Sequence, residues 1–410
     1  MQAKHSFKFY LLIIFSFYSL TAVQAKAVEP YVILVSFDGF RWDYPDRGIT
    51  PNLDFFKVNG VKALSFKPAF PSKTFPNHLS IITGMYPENH GIIQNEFEDP
   101  FENTSYGISD TVSVRDAKWY QGEAFWETAE RQGIKTASFF WPGSEVTLSY
   151  RHPTYYKKYE HDLDYGKRID GVIDWLKLPY NERPHFLTMY FHETDSKGHR
   201  FGTTGIEINN AIHLLDSLVG HLYKRLKDIN MADSVDIILL SDHGMTNLDK
   251  ERKINIESLL DIKCKIIGFG PVMMIEPPKQ KVEEVYLELK KSANHFRVFK
   301  KNEVPEYLHF SKNPLISSIV VVADLGWVLY DNSSEKIIKR YSFGGDHGYD
   351  NSEIDMHGIF YAIGPHFKKN FLTGTLNNID VYPLLSKIFG IQPRNNIDGK
   401  LERIEFILNK

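Results

Sequence analysis

An α/β fold built around a mostly parallel central sheet is predicted by two observations. Short, uninterrupted apolar runs recur along the chain, as strands buried on both faces require. Segments of helical apolar spacing alternate with them, the pattern of a sheet covered by helices on both sides. A third observation locates function: three of the runs end directly in residues able to bind a metal ion. In open α/β sheets ligands gather at the carboxyl ends of strands.

Residues 31–37, Tyr-Val-Ile-Leu-Val-Ser-Phe, read as the first buried strand and lead into Asp38-Gly39. Thr74 stands at what reads as a helix start. Pro76 suits an early helical position, and Gly84 is a stop signal. Residues 186–191 form a second apolar run, ending in His192-Glu193-Thr194-Asp195. From Ile208 to Leu226, apolar residues at 208, 212, 215, 219, 222 and 226 follow the spacing of one helix face. Asp236 to Leu240 is a third run and opens into Ser241-Asp242-His243-Gly244. Ile319 to Ala323 and Gly358 to Ile363 read as further strands. Residues 26–410 are expected to form one catalytic domain, with about 262–341 as a peripheral subdomain of weaker chemistry.

Residues 1–25 read as a signal peptide. Lys4 and Lys8 precede an apolar stretch from Leu11 to Val23, and Val23-Gln24-Ala25 offers small residues for cleavage. The stretch is shorter than the ~20 residues of a membrane span, so no membrane attachment is expected after cleavage. The single cysteine, Cys264, excludes an internal disulfide framework. An exported protein without disulfides points to a bacterial periplasm or extracellular space. A net charge of −3 gives no general attraction to duplex nucleic acid, so the expected partner is a small molecule; a monomer is expected.

Asp195 and His199 are four residues apart, one helical turn, and can share an ion. Taken alone they also read as a surface ion pair. Asp242 and His243 are adjacent and would point oppositely in a regular strand; both reach one ion only if the chain turns, as Gly244 permits. Asp38 and His347 each read alone as loop residues. Thr74 alone reads as a helix cap. Together they form a set of carboxylates, imidazoles and one hydroxyl, and a hydroxyl activated by metal is a competent nucleophile.

Val35-Ser36-Phe37-Asp38-Gly39-Phe40-Arg41, the segment Phe70 to His78, Gly84 to Ile92, Phe140-Trp141-Pro142-Gly143-Ser144, Ser241 to Met245 and Gly345 to Asn351 resemble the nucleotide pyrophosphatase/phosphodiesterase family of the alkaline phosphatase superfamily. The resemblance runs in order from about residue 31 to 370 and implies an alkaline-phosphatase-like α/β/α sandwich. It implies two zinc ions, one held by Asp195, His199 and His347, the other by Asp38, Asp242 and His243 with Thr74. It implies that Thr74 is the nucleophile and forms a covalent phospho-threonine-type intermediate. Asn95 would donate to a phosphoryl oxygen, and Phe75 and Tyr156 would sandwich a nucleobase. The implied substrate is a nucleotide diester or pyrophosphate, and the product a nucleoside 5′-monophosphate. Three aspartates and a Thr74 alkoxide balance two zinc ions, which suits a singly charged diester. Rival readings are a lysophospholipid or choline phosphodiesterase, a phosphomonoesterase or sulfatase, and a non-catalytic metal-binding protein.

Overall fold

The three apolar runs that end in ligand-capable residues lie side by side. In the computed structural model, which describes residues 29–409, Tyr31–Phe37 pairs in parallel with Phe186–Phe191 on one side and Val235–Leu240 on the other. All three strands are buried along their whole length, which is why their sequences show no alternation. The signal-peptide reading falls outside the described residues.

The central sheet has eight strands. Their spatial order is Phe371–Thr373, Val61–Ala63, Phe360–Ile363, Val235–Leu240, Tyr31–Phe37, Phe186–Phe191, Thr136–Phe139 and Tyr155–Lys157. All pairings are parallel except those of Phe360–Ile363, which runs antiparallel to both neighbours. Alternate residues of the first strand feed two cores. Val32 and Leu34 pack with the Thr74–Thr83 and Val381–Phe389 helices. Ile33, Val35 and Phe37 pack with the Tyr165–Leu176 and Ile206–Asp228 helices. The result is an α/β/α sandwich.

The Ile206–Asp228 helix buries all six apolar positions predicted for its inner face. It also buries Asp216, whose carboxylate accepts from the Leu53 amide at 2.8 Å and the Asn52 side chain at 2.8 Å. These groups open the Pro51–Asn59 helix, so Asp216 supplies the acceptor that helix lacks at its own first turn.

Ile319–Ala323 does not join the central sheet. It lies in a second, antiparallel sheet with Lys265–Ile267, Val272–Glu276 and Phe296–Lys300. The Val282–Ser292 helix covers one face of that sheet through Val285 and Leu289. Val272, Met274, Val320 and Val322 on the other face merge with the main core.

Candidate active site

Each predicted ligand group sits where a strand ends. Asp38 follows Tyr31–Phe37, Asp242 and His243 follow Val235–Leu240, and Asp195 lies in the first turn of the helix after Phe186–Phe191. Side-chain atoms of Asp38, Asp242 and His243 fall within 4.8 Å of one another, and so do those of Asp195, His199 and His347. Two glycines make the approach possible. Gly39 has φ of 65°, and a Cβ there would lie 2.9 Å from the Asp195 Cα. A Cβ on Gly244 would meet the Asp355 carbonyl oxygen at 2.1 Å.

The hydrogen bonding of the histidines defines what the two trios can hold. His243 Nδ1 is 2.8 Å from the Gly244 carbonyl, His347 Nδ1 is 2.8 Å from the Ser72 carbonyl, and His199 Nδ1 is 3.0 Å from the Gly345 carbonyl. A carbonyl only accepts, so each Nδ1 carries a proton and each ring turns its Nε2 toward the carboxylates. His243 Nε2 then faces Asp38 Oδ1 at 3.2 Å and Asp242 Oδ2 at 3.1 Å. His199 and His347 Nε2 face Asp195 Oδ1 at 3.3 and 3.5 Å. Those three carboxylate oxygens are buried and have no hydrogen-bond partner. Carboxylate oxygens without a partner this close to imidazole nitrogens call for a proton or a metal ion between them. Burial, reinforced by the charges of Asp38 and Asp195, also pushes the Asp242 carboxyl well above the usual carboxylate range. The residues therefore fit two metal ions with N and O ligands.

Thr74 is the first residue of the Thr74–Thr83 helix, and its Oγ1 lies 3.3 Å from His243 Nε2. Gly84 ends the helix in the left-handed conformation, its N–H donating to the Ser80 carbonyl. The helix is tied to the sheet by His78, which is fully buried, contacts Ser36 Oγ through Nε2 at 2.9 Å, and has Nδ1 2.9 Å from the Thr74 carbonyl. Asn95 accepts from the Phe75 N–H at 3.1 Å through Oδ1. This fixes the amide so that Nδ2, its donor end, has no partner among the described residues.

Asp38, Thr74 and Asp195 open onto a cavity of about 330 Å³, within the range of small-molecule sites. Phe75, Ile108, Val114, Phe140 and Trp141 give it apolar walls, and Arg115, Glu145, Tyr159, His161 and His192 add polar groups.

Residues 32–350 match the model of the type I phosphodiesterase / nucleotide pyrophosphatase family. The chain belongs to this family. It is 35% identical to human ectonucleotide pyrophosphatase/phosphodiesterase family member 5 over 409 residues, covering 98% of this chain and 83% of the relative. It is 36% identical to human family member 1 over 389 residues, 92% of this chain but 42% of that relative, so it spans less than half the length of that larger protein. The solved structure of murine family member 5 superposes with a TM-score of 0.86 at 34% identity, over 92% of this chain and all of that one. An inactive variant of the murine protein in complex with AMP superposes with a TM-score of 0.87 at 34% identity, over 93% of this chain and 100% of that one.

Of the residues expected to touch substrate, Phe75 lines the cavity, while Asn95 and Tyr156 are not among its lining residues. Tyr156 is in the edge strand Tyr155–Lys157 with its ring 4.6 Å from His152, and it does not line the cavity. Tyr159 does, just past the end of that strand. The Tyr159 hydroxyl contacts His161 Nδ1 at 3.0 Å and His192 Nδ1 at 3.4 Å. The strand-end rule that found Asp38 and Asp242 points to Tyr159 as well, once the short strand is recognised. Asp346 holds the backbone N–H of His347 at 2.8 Å, while the Ser72 carbonyl orients its ring. Sequence reading also missed Tyr190, whose hydroxyl donates to Asp38 Oδ2 from inside a buried strand. It missed Arg168, fully buried and bonded to the carbonyls of His161, Leu163 and Tyr190. Neither residue follows a strand end, so no local signal marks them.

Proposed function

We propose that this chain hydrolyses nucleotide phosphodiester or pyrophosphate bonds and releases nucleoside 5′-monophosphates, using Thr74 as nucleophile. The observation that carries this reading is that Thr74 Oγ1 meets one of two carboxylate–imidazole trios, three of whose carboxylate oxygens are buried without a partner, beside an aromatic cavity. Asp38, Asp242 and His243, with Thr74, would hold one zinc ion, and Asp195, His199 and His347 the other. Bound there, the pair would supply Lewis-acid activation of the attacking oxygen and neutralise developing charge.

The chain's own groups then have distinct tasks. Thr74 Oγ forms a bond to phosphorus as the bond to the leaving oxygen breaks. Water later displaces Thr74 Oγ from phosphorus, which restores the hydroxyl and frees the monophosphate. The helix start favours negative charge at Thr74. Asn95 Nδ2 donates to a non-bridging phosphoryl oxygen without adding a positive charge that a dianionic monoester would prefer. Phe75 stacks on one face of the base, with Tyr159 rather than Tyr156 on the other. Export to a periplasm or cell exterior, as a monomer, completes the reading. No helix among the described residues is long and apolar enough to cross a membrane.

A hydrolysis panel tests it: dinucleotides, nucleoside triphosphates, cyclic dinucleotides, lysophospholipids, choline phosphodiesters, phosphomonoesters and sulfate esters. The nucleotide reading expects the highest kcat/KM on nucleotide diesters or pyrophosphates. Preferential turnover of choline esters, monoesters or sulfates contradicts it, and no turnover of any supports a binding protein.

A further inference from the structure

Two charged side chains in the substrate cavity take no part in the chemistry above. Arg115 and Glu145 both line it, with 30% and 15% of their side chains exposed. Arg115 donates through Nε at 3.0 Å and Nη2 at 2.8 Å, both to Glu145 Oε2. The other carboxylate oxygen, Oε1, accepts from the Tyr159 backbone N–H. The Arg115 carbonyl accepts from the Thr147 amide at 3.0 Å and the Thr147 hydroxyl at 3.2 Å. Backbone and side chain of Arg115 are thus both held. Its Nη1 has no partner among the described residues.

A guanidinium only donates. Glu145 has both oxygens engaged, so the free donors of the pair are the two Nη1 N–H groups and the remaining Nη2 N–H. Glu145 also joins that guanidinium to the backbone of Tyr159, one face of the base clamp proposed above. Arg115, Glu145 and Tyr159 line the same cavity.

We propose that Arg115, oriented by Glu145, is the specificity-determining residue of this cavity and selects bases with an oxo group, guanine above adenine. The proposal rests on the nucleotide reading of the site. Guanine carries O6 and N7 as adjacent acceptors, the edge that arginine reads. Adenine carries an amino donor in the O6 position, so donor would face donor. A site built to hydrogen-bond one edge rejects the analogue that leaves its polar group unpaired. Arg115 touches the base and not the reacting atoms, so its influence lies in substrate choice.

The test compares kcat/KM for the 4-nitrophenyl esters of GMP and AMP, and for bis(4-nitrophenyl) phosphate, on the zinc-loaded protein. The wild type is expected to favour the guanosine ester by about tenfold or more, the scale of one well-placed base contact. In Arg115→Ala the guanosine-to-adenosine ratio should fall to near unity. Both esters are read on the same preparation, so partial loss of folded protein cancels from the ratio. Arg115→Lys keeps the charge but loses the planar fork, and its ratio should fall between the two. Glu145→Gln weakens the clasp and should lower the ratio as well. A wild-type ratio near one, or a guanosine preference that survives Arg115→Ala, overturns the proposal. Equal turnover of the nucleoside esters and the base-free ester would instead overturn the nucleotide reading on which it rests.

Discussion

Replacing Asn95 separates its two hydrogen-bonding ends. Oδ1 accepts from the Phe75 N–H at 3.1 Å, and Nδ2 is the end left for a phosphoryl oxygen. Asn95→Asp keeps an acceptor for Phe75 but removes the donor and adds a negative charge. Asn95→Ala removes both ends. Loss of one donor to a developing oxyanion costs roughly 10²–10³ in kcat, about 2.7–4 kcal/mol, and both variants should lose at least that much. In Asn95→Asp the new carboxylate also repels the phosphoryl group. At ~4 Å and an effective dielectric of ~20 that repulsion is about 4 kcal/mol, so Asn95→Asp should be the slower enzyme. Stability should run the other way, because Asn95→Ala leaves the Phe75 N–H unpaired at a cost of about 1 kcal/mol. Steady-state kinetics on the 4-nitrophenyl ester of thymidine monophosphate, with thermal melts of the same preparations, read both orders. Faster turnover by Asn95→Asp than by Asn95→Ala would refute the orientation of the amide and the role assigned to Nδ2.

Thr74→Ala should abolish turnover while leaving the melting temperature nearly unchanged, and undiminished activity would assign the nucleophile elsewhere. Phe75→Ala and Tyr159→Ala should raise KM for nucleotide esters more than they lower kcat, each by the equivalent of roughly 1–3 kcal/mol of stacking. Tyr156→Ala should leave KM unchanged, since its ring lies against His152; equal effects of the two tyrosine variants would contradict the reading. The hydrogen bond to buried Asp236, against a smaller burial penalty, raises the His366 imidazole above 6.5. A raised folded value stabilises fully below the unfolded value of ~6.5 and fades as pH rises through the folded one. The melting-temperature loss in His366→Ala should therefore be largest near pH 6 and shrink at alkaline pH, and a loss that grows with pH would reverse the assignment.

How much of this was legible in the sequence follows from what each element must do locally. Tyr31–Phe37, Phe186–Phe191 and Val235–Leu240 are buried on both faces, so they must be continuously apolar, and each must end where polar residues begin. That boundary exposed Asp38, Asp195, Asp242 and His243. Val61–Ala63, Thr136–Phe139 and Tyr155–Lys157 are too short to show a period, and with the last of them went the position of Tyr159. The direction of Phe360–Ile363 and the separate sheet around Ile319–Ala323 depend on long-range pairing, which a run of apolar residues does not encode. The inward Nε2 atoms were likewise invisible, because the carbonyls that set them belong to Ser72, Gly244 and Gly345 and any residue type carries a carbonyl.

The central claim is that the two trios hold metal ions on which turnover depends. Elemental analysis of the purified protein, with activity measured before and after chelation, tests it most directly. The expected result is about two zinc ions per chain, about one in His347→Ala, loss of turnover on chelation and recovery when zinc is added back. Full turnover by metal-free protein would contradict the account.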